Sequence, residues 1–362
     1  MKIDFKNYEK ENNPFFKKTL LNIAKVLKLK SEYEHEKYIQ AFEQEFADYN
    51  KSKYAIAVNS GTTSLQLALK ASDVESNDEV ILPSYTYIAT ALAVSNIEAK
   101  PIFIDIKEDT LTINPKEIEK NITKKTKAII SVHIHGNPCD MDKITKIAKK
   151  YNLAIIEDAS HAHGAKYKGI KVGNFGIGCF SNHTTKILSG IGNSGLITTN
   201  DLKIYKTIKK MVKVKNEPDL SLSERTPCEI NILQAAILRA KLPFINTMIT
   251  KRRANALLYL KSLPQHIKHQ REEKNSKHVY RDFVLFPPKR NKFIEYLSKN
   301  SIEAKVRYMI PLHLVNYYKK LGYKKGDLPI TNDIFSKAVW CPISHVHSKK
   351  EIQHICKTIK NC

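Results

Sequence analysis

A lysine, an aspartate, a serine and one small polar turn are the residues of this chain whose types and order could do chemistry. Lys186 lies in Cys179-Phe-Ser-Asn-His-Thr-Thr-Lys-Ile-Leu-Ser-Gly-Ile-Gly-Asn-Ser-Gly195, five residues after Ser181, between an apolar run and a glycine-rich turn. A lysine amine so placed can hold an aldehyde cofactor as a Schiff base. Asp158 follows the apolar run Leu153-Ala-Ile-Ile-Glu157, where a carboxylate is costly unless paired or functional. It can accept from the protonated nitrogen of a pyridine ring, which keeps the ring an electron sink, or it can simply cap a helix. Asn59-Ser-Gly-Thr-Thr63 joins an apolar run to a helical one. Amides at a helix N-terminus suit a phosphate, and the same residue types also make an ordinary N-cap. Tyr85 and Tyr87 can offer a flat face to a ring or pack in a core. His161 and His163 stand close to Asp158, with no third metal ligand near them in the chain to argue for zinc.

The elements that must position these residues alternate. Strand-like runs at Tyr54–Val58, Glu79–Leu82, Pro101–Asp105, Ala128–His133 and Leu153–Glu157 are separated by helical runs near 85–95, 115–120 and 142–151. Helical spacing also fills residues 15–50. Strands alternating with helices predict an α/β fold with a mostly parallel, doubly wound sheet, whose ligands gather at the carboxyl ends of the strands. A long helix over about Ile232–Leu260 leads out of this region. Strands at Tyr280–Phe286 and Ala304–Tyr308 and helices at Asn291–Asn300 and Ser348–Lys360 follow. The pattern predicts a large domain over residues 1–245 and a smaller α+β domain over 246–362.

The 362 residues are 42% hydrophobic and 27% charged, as in an ordinary globular protein. No uninterrupted apolar run and no N-terminal leader stands out, so the expected location is cytoplasmic, without a membrane partner. Six scattered cysteines make neither a zinc site nor a disulfide framework. The formal charge of +24 is spread from end to end without an aromatic-basic motif. A nucleic-acid partner is therefore not expected, although the charge can draw in an anionic substrate.

The order of these residues resembles the DegT/StrS family of sugar aminotransferases, which have the fold type I architecture of pyridoxal-phosphate enzymes. The resemblance runs from about Phe42-Glu43 to the last helix. It is carried by Asn59–Leu69, Pro83–Thr90, His133–Asp142, Glu157–Ala165, Cys179–Gly195, Leu233–Leu238, Pro311-Leu-His313 and Gly326–Pro329. It implies a seven-stranded large-domain sheet and pyridoxal 5'-phosphate as cofactor, with Lys186 as the Schiff-base lysine that later moves the proton. It also implies Asp158 at the pyridine nitrogen, Gly61, Thr62 and Ser181 at the phosphate, Tyr87 stacked on the ring, and His161 where the family usually has a glutamine. Tyr308 and His313 fall on the substrate side. The implied protein is a homodimer that takes an amine from glutamate or glutamine and gives it to a keto-sugar, most often nucleotide-linked.

Three departures concern the substrate side. Asn193 stands in a turn that usually holds a glutamate, Pro227 and Glu229 stand where the family commonly has Asn and Arg, and Asn332 replaces a common glutamate. The Pro227–Glu229 change keeps a non-nucleotide keto-sugar or keto-cyclitol open as acceptor. The charge alone supports a non-catalytic regulator. His183 lies three residues before Lys186 and not in its place, which argues against the relatives that became dehydratases by replacing the lysine with histidine.

Overall fold

The computed structural model describes residues 1–212 and 228–362. Pro227 lies outside them. Seven strands form the central sheet: β1 (Tyr54–Val58), β2 (Glu79–Pro83), β3 (Lys100–Ile104), β4 (Thr126–Val132), β5 (Ala154–Asp158), β8 (Ile177–Ser181) and β9 (Gly195–Thr199). Their order is β1-β9-β8-β5-β4-β2-β3. The pairs from β8 to β3 are parallel, and β9 runs antiparallel to both β8 and β1. The ends of β1, β2, β4, β5 and β8 and the start of β9 therefore meet at one edge, where α/β sheets bind ligands.

Isoleucine, valine and leucine dominate these strands, and both faces are covered. One face packs Ile56, Leu82, Ile130 and Ile156 with Leu65 and Leu69 of the helix Gly61–Ala71. The other face packs Ile81, Ile104 and Ile129 with Ile144 and Ile147 of the helix Met141–Tyr151. Burial of this kind is worth roughly 25 cal/mol per Å² of apolar surface.

A three-stranded antiparallel sheet, β10 (Lys268–His269), β12 (Phe283–Phe286) and β13 (Val339–Cys341), follows later in the chain. It packs with the helices Ile245–Ser262, Arg290–Lys299 and Lys349–Lys360 around Tyr259, Phe283, Leu297 and Ile355. Three two-residue strands, β6 (Lys166–Tyr167), β7 (Ile170–Lys171) and β11 (Ser276–Lys277), make a small third sheet.

Several elements differ from the sequence reading. The helix expected over Ile232–Leu260 is two helices, Ile232–Lys241 and Ile245–Ser262, joined by a 3-10 turn over Leu242–Phe244. Pro243 removes an amide donor and its ring clashes with the preceding turn, so the α-helix stops there. By composition Ile232–Ser262 is long and apolar enough to cross a bilayer, but over half of that window is buried inside the protein. Residues 15–50 likewise divide into Phe16–Val26 and Glu32–Asn50, the second capped by Ser31. Ala304–Tyr308 makes only a bridge, Lys305 to Trp340.

Candidate functional site

The turn after β1 begins the site. The Ser60 hydroxyl accepts the Thr63 amide at 3.1 Å and caps the helix Gly61–Ala71, so the N-cap reading of this turn holds. The cap leaves the first amides of the helix at the strand edge, where the macrodipole is positive. Gly61 is there because of space: a Cβ on it would stand 2.7 Å from Cβ of Ser181, at the end of β8. Gly195 opens β9 opposite both Val58 and Ser181, and a Cβ on it would strike the Ser60 carbonyl. Two glycines thus let a helix N-terminus, a strand end and a serine hydroxyl converge.

Asp158 ends β5 and is 6% exposed. Its Oδ2 accepts the Thr90 hydroxyl at 2.9 Å and its Oδ1 the Ser160 amide at 3.1 Å. Glu157, one residue earlier, points to the opposite face as strand alternation requires. There it is fully buried and accepts the amides of Gly173, Phe175 and Gly176 and a bond with His133. The two adjacent carboxylates thus have different work: Glu157 is saturated by its surroundings, whereas Asp158 borders a cavity.

That cavity, about 600 Å³, is lined by Gly61, Thr62, Tyr87, Asp158, His161, Ser181, Lys186 and Tyr308 together with residues that sequence reasoning missed, chiefly Thr90, Arg281 and Arg307. Lys186 is half-buried on its wall. Burial first, then the Arg281 guanidinium, push its amine down to about 7, while Asp158 and Asp282 oppose the shift. Near neutral pH much of the amine is therefore an uncharged nucleophile. Tyr87 is 57% exposed at the cavity, whereas Tyr85 is fully buried against His135 and Phe335 and belongs to the core. Asn193 and Ser194 also reach the cavity.

His161 accepts the His135 amide on Nδ1 at 3.2 Å, and the two rings stack with centroids 6.0 Å apart. Burial, then the nearby lysine and arginine charges, hold its pKa well below the usual value. A neutral ring accepting on Nδ1 carries its proton on Nε2, so His161 is a donor there. His163 sits in the core against Phe46 and Phe180, its pKa pushed down to about 3 by burial.

Folding brings His161 two groups far away in sequence: His135, His161 and Asp282 offer one ligand atom each within 4.8 Å. These atoms already serve one another and their neighbours. His135 Nδ1 bonds Asp282 at 3.0 Å, and Asp282 also meets Arg281 at 2.5 Å and Arg307 at 3.5 Å. Two guanidiniums beside the one carboxylate disfavour a cation here.

His313 is not brought to the cavity. It is fully buried, with Nδ1 2.7 Å from the Ser84 hydroxyl and its ring against Tyr323. Tyr308 does reach the cavity, with a backbone φ of 61°. Glu229 is exposed beside a separate cleft with Glu32, Glu43 and Lys209, and the amide nitrogen of Asn332 has no partner among the described residues.

The donor set fits pyridoxal phosphate. It combines a helix N-terminus with a serine hydroxyl across a gap that a Cβ would fill, a buried carboxylate and an amine of lowered pKa, all on one cavity. Residues 17–360 match the DegT/DnrJ/EryC1/StrS aminotransferase family. The dTDP-3-amino-3,6-dideoxy-alpha-D-galactopyranose transaminase of Aneurinibacillus thermoaerophilus is 36% identical, with 89% of each chain covered. The structure is similar to that of DesV from S. venezuelae, with a TM-score of 0.94 and 28% identity over 99% of this chain and 98% of that one. It is also similar to the Bacillus subtilis protein ntda solved with the cofactor PMP, with a TM-score of 0.90 and 25% identity over 99% of this chain and 85% of that one. The chain belongs to the DegT/DnrJ/EryC1/StrS aminotransferase family and is, by class, a transaminase.

Proposed function

We propose that this enzyme transfers an amine from glutamate or glutamine to an NDP-linked keto-deoxyhexose, making an amino sugar for a surface polysaccharide or a secondary metabolite. The observation that carries the reading is one cavity lined by a lysine amine of lowered pKa, a buried carboxylate and an anion-binding helix start. The related dTDP-sugar transaminase supports the nucleotide-linked acceptor.

When bound, pyridoxal phosphate supplies an aldehyde that exchanges amines and a protonated ring that acts as an electron sink. The amides of Gly61 and Thr62 and the Ser181 hydroxyl would hold its phosphate. Asp158, oriented by Thr90 and the Ser160 amide, would pair with the ring nitrogen and keep it protonated. Tyr87 would cover one face of the ring. His161 would donate from Nε2 to the ring hydroxyl, as the glutamine of relatives can. Lys186 would hold the cofactor at rest, then take a proton from the donor's α-carbon at Nζ and deliver it to the carbon that was the cofactor's aldehyde. Tyr308 comes from residues 246–362 and Lys186 from 1–245, so the cavity would lie between the two proposed domains. His313 would act on the substrate side only through Ser84 and the turn that carries Tyr87. We propose a homodimer as the working unit.

The test is an absorbance spectrum of the purified protein with added pyridoxal phosphate, before and after L-glutamate, for wild type and Lys186→Ala. A visible band that glutamate bleaches and that disappears in the variant is expected. A band indifferent to Lys186 would sink the site assignment.

A further inference from the structure

Arg281 and Arg307 face the same cavity as Lys186, yet the two are not equivalent. Arg281 is 7% exposed and firmly paired. Its Nη1 meets both oxygens of Asp282, at 2.7 and 2.5 Å, and its Nη2 donates to the Thr185 carbonyl at 3.2 Å, one residue before Lys186. Arg307 keeps a quarter of its side chain exposed. Among the described residues its guanidinium makes one hydrogen bond, to Asp282 at 3.5 Å, the outer limit of such a contact. Its Cζ lies 4.8 Å from the centroid of the Phe5 ring, a contact that steadies it without using its N–H groups. A guanidinium carries five donors, so most of those of Arg307 are left for the cavity. The charges agree. Two guanidiniums share one carboxylate, and the neighbouring His135 is held neutral, its pKa lowered first by burial. The wall beside Lys186 therefore carries one guanidinium charge more than Asp282 offsets.

We propose that Arg307 binds the α-carboxylate of the amino-acid donor, with Asp282 and Arg281 holding it in place; the inference rests on the transaminase reading above. The choice of anion follows from connectivity. The amine that reacts beside Lys186 is attached to the same carbon as the α-carboxylate, so the two arrive together. The diphosphate of a nucleotide sugar is separated from its keto carbon by part of a pyranose ring, so it falls farther from the lysine. A planar fork matches a carboxylate in a bidentate manner that a lysine does not reproduce. Arg307 would therefore act in the donor half of the reaction and be idle toward the keto-sugar.

The test compares wild type, Arg307→Gln and Arg307→Lys by two readouts. The first is the rate at which L-glutamate, or 4-aminobutanoate, which lacks the α-carboxylate, bleaches the cofactor-loaded protein. The second is the calorimetric Kd of the pyridoxamine-phosphate form for 2-oxoglutarate and, separately, for dTDP. Arg307→Gln is expected to lose on the order of 100-fold with glutamate, the scale of a charge-assisted hydrogen-bond pair. It should change less than threefold with 4-aminobutanoate, weaken 2-oxoglutarate binding comparably and leave dTDP binding intact, with Arg307→Lys recovering part of the loss. Equal loss with both amines, or unchanged 2-oxoglutarate affinity, would overturn the proposal. Weakened dTDP binding alone would overturn it in favour of the diphosphate. If wild type fails to bleach with any amino acid, the transaminase reading fails, while the calorimetric arm still decides the role of Arg307.

Discussion

Much of the Lys186 amine is uncharged near neutral pH for a local reason. Burial disfavours the ammonium, and the Arg281 guanidinium adds a like charge, leaving the pKa at about 7 against 10.5 for an ordinary lysine. Only the neutral form attacks an aldehyde, so capture of pyridoxal phosphate by the cofactor-free protein should accelerate as pH rises through about 7 and then level off. Arg281→Gln removes a repelling charge and leaves Asp282 less neutralised, and both changes favour the ammonium. The midpoint of the capture profile should therefore move to higher pH. Stopped-flow absorbance across pH 5–10 checks this, and a wild-type midpoint near the ordinary lysine value would refute it. His161 should stay neutral around the midpoint, because burial holds its pKa well below the usual value. The order of Asp158, Ser181 and Lys186, through its family resemblance, already implied that these residues share one site. Sequence reasoning missed Arg281 and Arg307, since nothing in the local spacing of an arginine says which distant cavity it will face.

At the scale of elements, the site depends on close approach between the helix Gly61–Ala71 and the end of β8. Gly61→Ala places a methyl group 2.7 Å from Ser181 Cβ, and overpacking of this kind costs about 1–3 kcal/mol. The helix start must move away from Ser181, so cofactor affinity should fall at least tenfold by equilibrium dialysis. Ser60→Ala is the comparison: loss of a cap costs about 1 kcal/mol of stability in urea denaturation, with a smaller effect on binding. Wild-type affinity in Gly61→Ala would dismiss the cradle. The strands that frame Lys186 were the least legible ones. β8, Ile177-Gly-Cys-Phe-Ser181, and β9, Gly195-Leu-Ile-Thr-Thr199, are short, contain glycine and are almost wholly buried. A strand covered on both faces shows no alternation for a period-two reading to detect. Helix ends were read more easily where a cap announces them, as with Ser348 before Lys349–Lys360.

The whole molecule leaves an apolar face uncovered in the single chain. Phe16, Leu20 and Leu21 of the helix Phe16–Val26 are 58%, 49% and 63% exposed, and contiguous apolar side chains of this kind usually mark an interface. The proposed dimer should sediment at twice the 41.4 kDa of the chain. The double substitution Leu20→Glu with Leu21→Glu should shift it toward one chain mass at micromolar concentration. A wild-type protein that sediments as a single chain would remove the dimer from the account. The net charge of +24 is spread from end to end of the chain, and the matched family is one of aminotransferases. Fold and enzyme class are thus properties of the entire chain, visible through many short motifs in a set order.

Local chemistry can be read along a chain. Alternating apolar runs determined the α/β class, the order of a lysine, an aspartate, a serine and a polar turn, through its family resemblance, determined the cofactor, and Ser60 with Gly61 determined a capped helix start. Tertiary structure alone supplied the reason that Asp158 and not Glu157 borders the cavity: Glu157 is consumed by amides of the Gly173–Gly176 segment and Asp158 is not. It also decided that His313 packs behind Ser84 while Arg307 stands beside Lys186. The physical reason is common to both: burial, charge neutralisation and spare hydrogen-bond donors depend on partners outside the local element, 16 residues away for Glu157 and 229 for His313, which no local pattern encodes.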